Sequence, residues 1–203
     1  ATGSGKSTLL ASIIADFVQS EDSNLKILTY EAPIEYVYDD IPAPSSIVAQ
    51  TEVPRYLPSF AAGIRNALRR KPGLILIGEA RDQETIEAVI NAALTGHPVY
   101  TTVHSNGVAD TLRRMLTIFP ADERDARLFD LIETTKLLIW QALVPKKDGT
   151  RTPIREYLIL SEEVRDQLVD VSPDEMVTKI RELLPKYGQT AFMDAKNKYD
   201  QGL

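Results

Sequence analysis

The first half of the chain alternates between apolar positions at helical spacing and short apolar runs of strand length. The spacing of 3.6 residues predicts amphipathic helices, and uninterrupted apolar runs are typical of strands buried on both faces of a sheet. Strand–helix alternation over residues 1–118 predicts a parallel sheet with helices on both faces. In chain order, helices are expected at 9–18, 59–70 and 83–94, and strands at 25–30, 74–77 and 99–103.

The pattern changes after residue 118. Apolar residues over 137–144 and 154–160 flank an Asp-Gly pair and predict a β-hairpin. A helix is expected over 122–135, and two or three short helices after residue 161. We therefore predict a RecA-like α/β core at 1–160 and a helical C-terminal subdomain at 161–203. Prolines scattered over 39–54 predict an irregular excursion there.

The first eight residues, ATGSGKST, match the end of a phosphate-binding P-loop. The first glycine of that pattern would precede Ala1, so we expect that the N-terminal part of the core, including the strand before the loop, is missing. Glycines let successive backbone N–H groups point at phosphate oxygens, and a following helix N-terminus favours an anion. An ordinary Gly/Ser turn that caps a helix is the alternative. The predicted nucleotide-binding residues of this segment are Thr2, Gly3, Ser4, Gly5, Lys6, Ser7 and Thr8.

Polar residues follow the predicted strands where parallel sheets bind ligands, at the carboxyl ends. Glu31 and Glu35 follow the first strand, and are either two carboxylates facing the crevice or solvated loop acids. Glu79 follows the apolar run at 74–77. Its carboxylate either orients a water molecule, free or bound to the metal, or is simply an acid that a helix N-terminus favours. His104 follows another strand and is placed to contact a γ-phosphate. His97 follows a helix end, and either belongs to the site or simply caps that helix.

Composition excludes several other classes of function. The chain has no Cys, which rules out disulfides and thiolate metal sites. The formal net charge is -6, and no run of basic residues stands out, which argues against direct binding of nucleic acid. No apolar run approaches the length of a membrane span.

Taken together, these motifs resemble the secretion and pilus ATPase superfamily. The matching segments are ATGSGKST, TYEAPIEY, LILIGEARD, ALTGHPVYTTVHS and, more loosely, VRDQL. They are most similar to the PilT-type retraction motors and to the DotB-like ATPases of type IVB secretion and conjugation. The resemblance implies an enzyme that hydrolyses ATP with Mg²⁺ and powers a type IV secretion or pilus system.

The resemblance also implies roles for single residues. Lys6 and Ser7 bind the phosphates, and Ser7 also binds Mg²⁺. Glu79 and Glu31 are the catalytic carboxylates, with His104 beside them as a catalytic residue. Nucleotide contacts are also implied for Glu35, Arg81 and His97. Ala32 departs from the family pattern, which usually has Asp after the first acidic-box Glu.

At the level of assembly, the resemblance implies a homo-hexameric ring, cytoplasmic and held at the inner membrane by secretion-system components. It also implies arginines supplied to a neighbouring subunit by an N-terminal domain, so this segment alone is expected to be a poor ATPase. Two alternatives remain open. One is a nucleotide-dependent assembly scaffold with little hydrolysis, and the other is a RecA-like DNA motor, which the acidic charge balance disfavours.

Overall fold

The computed structural model describes residues 3–202. The chain divides into two compact units. Lys6–Val103 forms the first, which we call the sheet unit, and His104–Leu203 together with the first five residues forms the second, the hairpin unit. The boundary predicted between residues 160 and 161 falls inside the hairpin unit and stays a prediction.

The sheet unit is built on a four-stranded parallel sheet of order β2-β1-β3-β4. This confirms the parallel α/β architecture expected from the alternating pattern. Its elements, in chain order, are α1 Lys6–Gln19, β1 Lys26–Glu31, β2 Ile47–Glu52, α2 Phe60–Ala67, β3 Leu74–Ile77, α3 Gln83–Leu94 and β4 Val99–Thr101.

Helices cover both faces of this sheet. On one face, Ile14 and Val18 of α1 pack with Ile27, Leu74 and Leu76 of the strands. On the other, α2 and α3 pack over the alternate residues of the same strands, among them Leu28 and Ile75. Burial on both faces explains why β1 and β3 are continuous apolar runs.

The expectation of an irregular excursion over 39–54 is wrong for its second half. β2 runs parallel to β1 over its full length, with Lys26 opposite Ile47 and Glu31 opposite Glu52. It is an edge strand whose first residue, Ile47, is exposed, so it lacks the apolar run that marks β1 and β3. The hydrophobic pattern missed this strand because it lies at the edge of the sheet, not because it pairs weakly.

The direction of α1 places its N-terminus at the carboxyl edge of the sheet. Near the C-terminal end of the helix, the Phe17 carbonyl accepts a hydrogen bond from Ser46, which directly precedes β2. At its N-terminal end, the Thr8 hydroxyl lies 2.8 Å from the phenol oxygen of Tyr36, in the loop that follows β1. The helix therefore runs antiparallel to β1, and its first turn lies where β1 and β3 end.

The hairpin unit contains the predicted antiparallel hairpin, in which β5 and β6 pair from Leu137↔Ile159 to Pro145↔Arg151. A short strand adds to β6, and three helices follow residue 161, as the pattern predicted. The elements are α4 Val108–Leu116, a 3₁₀ turn Ala121–Glu123, α5 Arg124–Thr134, β5 Leu137–Pro145, β6 Arg151–Ile159, α6 Glu162–Asp166, α7 Met176–Tyr187, β7 Gly188–Gln189 and α8 Ala191–Asp200. Within residues 3–202, none of the helices has the length and apolar character needed to cross a bilayer.

Candidate functional site

The loop before α1 has the conformation and the unsatisfied polar group expected of a phosphate-binding loop. Gly3 and Gly5 have φ of 73° and 80°, in the left-handed region that favours glycine. The Ser4 hydroxyl is buried and has no hydrogen-bond partner among the described residues. A buried hydroxyl without a partner is costly, so a phosphate oxygen at the loop would satisfy it. Thr2, also predicted to bind nucleotide, lies outside the described residues.

The first turn of α1 presents Lys6, Ser7 and Thr8 at the carboxyl edge of the sheet. Lys6 is partly buried, whereas the hydroxyls of Ser7 and Thr8 belong to exposed residues. The unpaired N–H groups of a helix N-terminus attract an anion. These residue types therefore fit the phosphates of a nucleotide, although the structure ties Thr8 to Tyr36 instead of leaving it open to a ligand.

Glu31 ends β1 with one carboxylate oxygen held by two donors. The Thr29 hydroxyl donates to Oε1 at 2.6 Å, and the Gln50 amide donates to the same oxygen at 3.0 Å. The Gln50 Nε2 group also donates to the Tyr36 carbonyl, and Gln50 Oε1 accepts from the Tyr38 backbone N–H. Gln50 thus connects β2 to the backbone of Tyr36 and of Tyr38, and it holds the Glu31 carboxylate from the neighbouring strand.

Two tyrosines line the loop after Glu31. Burial, together with the nearby Glu31 and Tyr36, raises the pKa of the Tyr38 hydroxyl to about 12. Tyr38 therefore stays neutral throughout the physiological range and serves as a packed part of the wall rather than as a base. Glu35, on the same loop, is exposed and takes no part in the hydrogen bonds that hold Glu31.

Glu79 lies beside the end of β1, as strand pairing requires. Tyr30 is opposite Ile77 in the register, and the Gly78 N–H donates to the Tyr30 carbonyl at 2.8 Å. A Cβ at Gly78 would lie 3.4 Å from the Cα of Glu31, so the two backbones are close where both carboxylates leave their strands. Helix α3 begins at Gln83, and Asp82 caps it by accepting from the Thr85 N–H at 2.9 Å. Glu79 therefore precedes the helix cap, which removes the alternative that it is an acid of the helix's first turn.

Of the other predicted site residues in the sheet unit, Arg81 follows Glu79 at the carboxyl edge, whereas His97 lies at the opposite edge of the sheet. His97 lies in the short connection between α3 and β4, so it is at the amino edge of the sheet, with its Nδ1 3.1 Å from the Thr95 hydroxyl. Three residues of β4 separate the two edges by about 10 Å. Arg81 is exposed, and His104 is an exposed residue of the hairpin unit. Their nucleotide contacts stay predictions.

Two polar residues of this edge were missed from the sequence. Glu52 is directly opposite Glu31 in the pairing of β1 with β2, and Gln50 holds the Glu31 carboxylate. Both lie in the segment expected to be irregular. The density of β-branched residues around them, in Ile47, Val48, Thr51 and Val53, was the signal for a strand.

Magnesium fits this edge only together with nucleotide. Within the part of the chain that the structure describes, no three His, Asp or Glu side chains converge in a way that would hold a metal ion. The Ser7 hydroxyl is a suitable single ligand, because Mg²⁺ in nucleotide sites takes most of its ligands from phosphates and water.

Comparison with known proteins decides the family. The family model for "Type II/IV secretion system protein" matches residues 1–197. The chain belongs to this family. This confirms the resemblance inferred from the motifs.

Among solved structures, the ATPase DotB of Legionella pneumophila superposes on the whole chain with a TM-score of 0.96 at 57% identity. The chain covers 55% of that structure. A structure of the pilus retraction motor PilT with bound ADP superposes with a TM-score of 0.85 at 37% identity, covering 98% of this chain and 55% of PilT. The type IV pilus retraction ATPase PilT of Pseudomonas aeruginosa is 37% identical over 180 residues, which are 89% of this chain and 51% of that protein. The chain spans about half the length of the curated relatives it matches.

Proposed function

We propose that this chain is the nucleotide-hydrolysing part of a motor ATPase of a type IV secretion or pilus system, close in kind to DotB. The observation that carries the proposal is the meeting of α1's first turn with Glu31 and Glu79 at one edge of the parallel sheet. A cation and N–H groups for phosphates, beside carboxylates for water, are the parts that phosphoryl transfer to water needs.

In this proposal each residue has a defined part. Residues 3–5 and Lys6 hold the phosphates of ATP, and the Ser4 hydroxyl gains the partner that it lacks in the described chain. Ser7 contributes a ligand to Mg²⁺, which neutralises phosphate charge when bound. Glu79 orients the attacking water, and Glu31, fixed by Thr29 and Gln50, presents its second oxygen to the same crevice.

The partners follow from the named relatives and belong to the proposal. We propose a homo-hexamer that works in the cytoplasm at the inner membrane, held there by secretion-system components, and that makes no direct contact with nucleic acid. His97 then acts near a subunit boundary, since it lies at the opposite edge of the sheet from Glu31 and Glu79. Nucleotide contacts of Arg81 and His104 stay part of the proposal.

Hydrolysis by the full-length protein and by its Glu79→Gln variant, with ADP binding measured on both, tests this function. Losing the carboxylate should lower kcat by about 10²- to 10⁴-fold and leave ADP affinity within about threefold, because a general base acts on the transition state. Glu84→Gln is the matched control, since Glu84 is an exposed acid of the same unit that pairs with Arg65. It should change neither value.

Three outcomes would redirect the assignment. If the parent and the Glu79→Gln variant both bind nucleotide and neither hydrolyses it, the protein uses ATP as an assembly ligand. Turnover that rises strongly with single-stranded DNA, and falls with salt, would instead indicate a DNA motor. If the parent binds no nucleotide at all, the proposed function is wrong.

A further inference from the structure

Gln141 joins the phosphate loop to the hairpin. It lies on β5 and is 7% exposed, which is unusual for a polar amide. Its Nε2 group donates to the Ser4 carbonyl at 2.7 Å, and its Oε1 accepts from Arg155 Nε at 2.8 Å. Because the two ends of the amide bond different partners, only one orientation of the side chain satisfies both.

The same amide packs against the next residue of the loop. A Cβ placed on Gly5 would lie 2.8 Å from Gln141 Nε2 and 3.7 Å from a methyl group of Leu143. Any side chain at position 5 would therefore collide with Gln141 of β5 unless the neighbouring atoms moved. Residues 4 and 5 are thus held by one side chain, through a hydrogen bond at the first and close packing at the second.

Arg155 is itself fixed at three points. It is the cross-strand partner of Gln141 in the pairing of β5 with β6. Its backbone N–H donates to Asp194 Oδ2 on α8 at 2.8 Å, and its carbonyl accepts from Gln189 Nε2 on β7 at 3.3 Å. A continuous series of hydrogen bonds therefore connects the last helix, through β6 and β5, to the loop.

We propose that Gln141 and Arg155 are positioning residues that hold residues 3–5 in their phosphate-binding conformation before a nucleotide arrives. The inference rests on the proposed function, since it assigns these residues to the nucleotide site. A glycine-rich loop loses much conformational freedom when it closes on a ligand, and ordering it beforehand lowers that entropy cost. Neither side chain is assigned a contact with the nucleotide, so both act through Ser4 and Gly5.

The test compares Gln141→Met with Gln167→Met in the full-length protein. Methionine keeps the length of the side chain and removes its donor and acceptor. Gln167 is the matched control because its amide also bonds two partners in the hairpin unit, the Glu163 carbonyl and the Tyr187 hydroxyl. Amide hydrogen exchange over residues 3–8 is measured without nucleotide, and the Kd for ADP is measured by calorimetry.

We expect Gln141→Met to exchange about tenfold faster over residues 3–8 and to bind ADP about tenfold more weakly, the size given by losing two hydrogen bonds of ordinary strength. Gln167→Met should match the parent in both. Arg155→Met, which leaves the bond between Gln141 and Ser4 in place, should give a smaller change of about threefold. It also keeps the proposal testable if Gln141→Met fails to fold.

Unchanged exchange over residues 3–8 in Gln141→Met, or in Arg155→Met should the first variant not fold, would overturn the proposal. An equal change in Gln167→Met would do the same, because it would show a general loosening of the unit. The exchange measurement needs no nucleotide. If the parent fails to bind ADP, the proposed function fails, while the exchange result still decides whether these residues hold the loop.

Discussion

At the scale of single residues, two side chains hold the same oxygen of the Glu31 carboxylate. Thr29 and Gln50 both donate to Oε1, at 2.6 and 3.0 Å, and so restrict the orientation of the carboxylate. A carboxylate that must present one oxygen in a fixed direction gains from such support, because small misplacements of reacting groups are costly in rate.

Replacing Gln50 should therefore affect turnover more than binding. In the full-length protein we expect Gln50→Met to lower kcat about tenfold with KM nearly unchanged, since Glu31 is proposed to act on the reacting water and not on the bound phosphates. Steady-state kinetics measures both constants. Gln83→Met is the control, because Gln83 also donates to a carboxylate, Glu87 Oε1 at 3.1 Å, in the same unit.

Either of two results would argue against this role for Gln50. A rise in KM with kcat preserved would indicate that the amide supports binding, and equal losses in Gln83→Met would indicate general destabilisation.

The sequence could show which residues end strands, but not which residues support them. Glu31 and Glu79 were predicted because each follows an apolar run. Gln50 holds Glu31 only through the register of β2 on β1, in which Gln50 is opposite Thr29. Register depends on tertiary packing, so a residue whose role comes from the neighbouring strand has no local signature.

At the scale of elements, the strands and helices that the pattern revealed are those with a buried face. β3 has four buried residues in a row and was predicted with its correct limits. β2 is partly buried along its length and begins with Ile47, which is 66% exposed. Because edge strands bury less apolar surface, periodicity is weakest for them, and the nearby prolines suggested a loop instead.

The same reasoning separates the two histidines. His97 and His104 are close in sequence and belong to one motif of the family, so they were expected at one site. Between them lies β4, and a parallel strand necessarily carries its two flanking residues to opposite edges of the sheet. Motif proximity could not show this, although the predicted strand at 99–103 already implied it.

The carboxylate of Asp194 anchors helix α8, and its ionisation should change the free energy of unfolding. Burial disfavours the charged form of Asp194, but hydrogen bonds from Lys198 and from the Arg155 N–H outweigh it, and the pKa of Asp194 lies below its ordinary value. A carboxyl group with a lowered pKa stabilises the fold above its unfolded pKa. That stabilisation is lost as pH falls through the folded value.

We therefore expect Asp194→Asn to lower the free energy of unfolding by about 1–2 kcal/mol at pH 7, the range for hydrogen bonds to a charged group. The difference from the parent should shrink as the pH falls below about 4, because the carboxyl group protonates first in the unfolded chain and, at lower pH, in the folded one as well. Urea unfolding at several pH values measures this. Asp200→Asn, an exposed acid on the same helix, is the control. A difference that stays constant from pH 7 to pH 3 would contradict the assignment.

At the scale of the whole molecule, the predicted site residues are distributed over the two units. The sheet unit carries Lys6, Glu31 and Glu79, and the hairpin unit carries residues 3–5, His104 and the residues that hold the loop. The parallel sheet and the hairpin were both predicted from periodicity. Their division at residues 103 and 104 was not, because contacts between residues distant in sequence, such as Ser4 with Gln141, define the units.

Cooperation between subunits of the proposed motor can be tested by mixing parent and variant chains. If nucleotide sites of a ring act in sequence, one subunit that cannot hydrolyse ATP arrests its neighbours as well. Assemblies formed from equal amounts of full-length parent and Glu79→Gln chains should then hydrolyse ATP at well below half the parent rate. Mixtures with Glu84→Gln should keep the full rate, since that surface acid is not assigned to the site. A decline in strict proportion to the fraction of Glu79→Gln chains would mean that each subunit works alone, and the coupled ring would have to be abandoned even if hydrolysis itself is established.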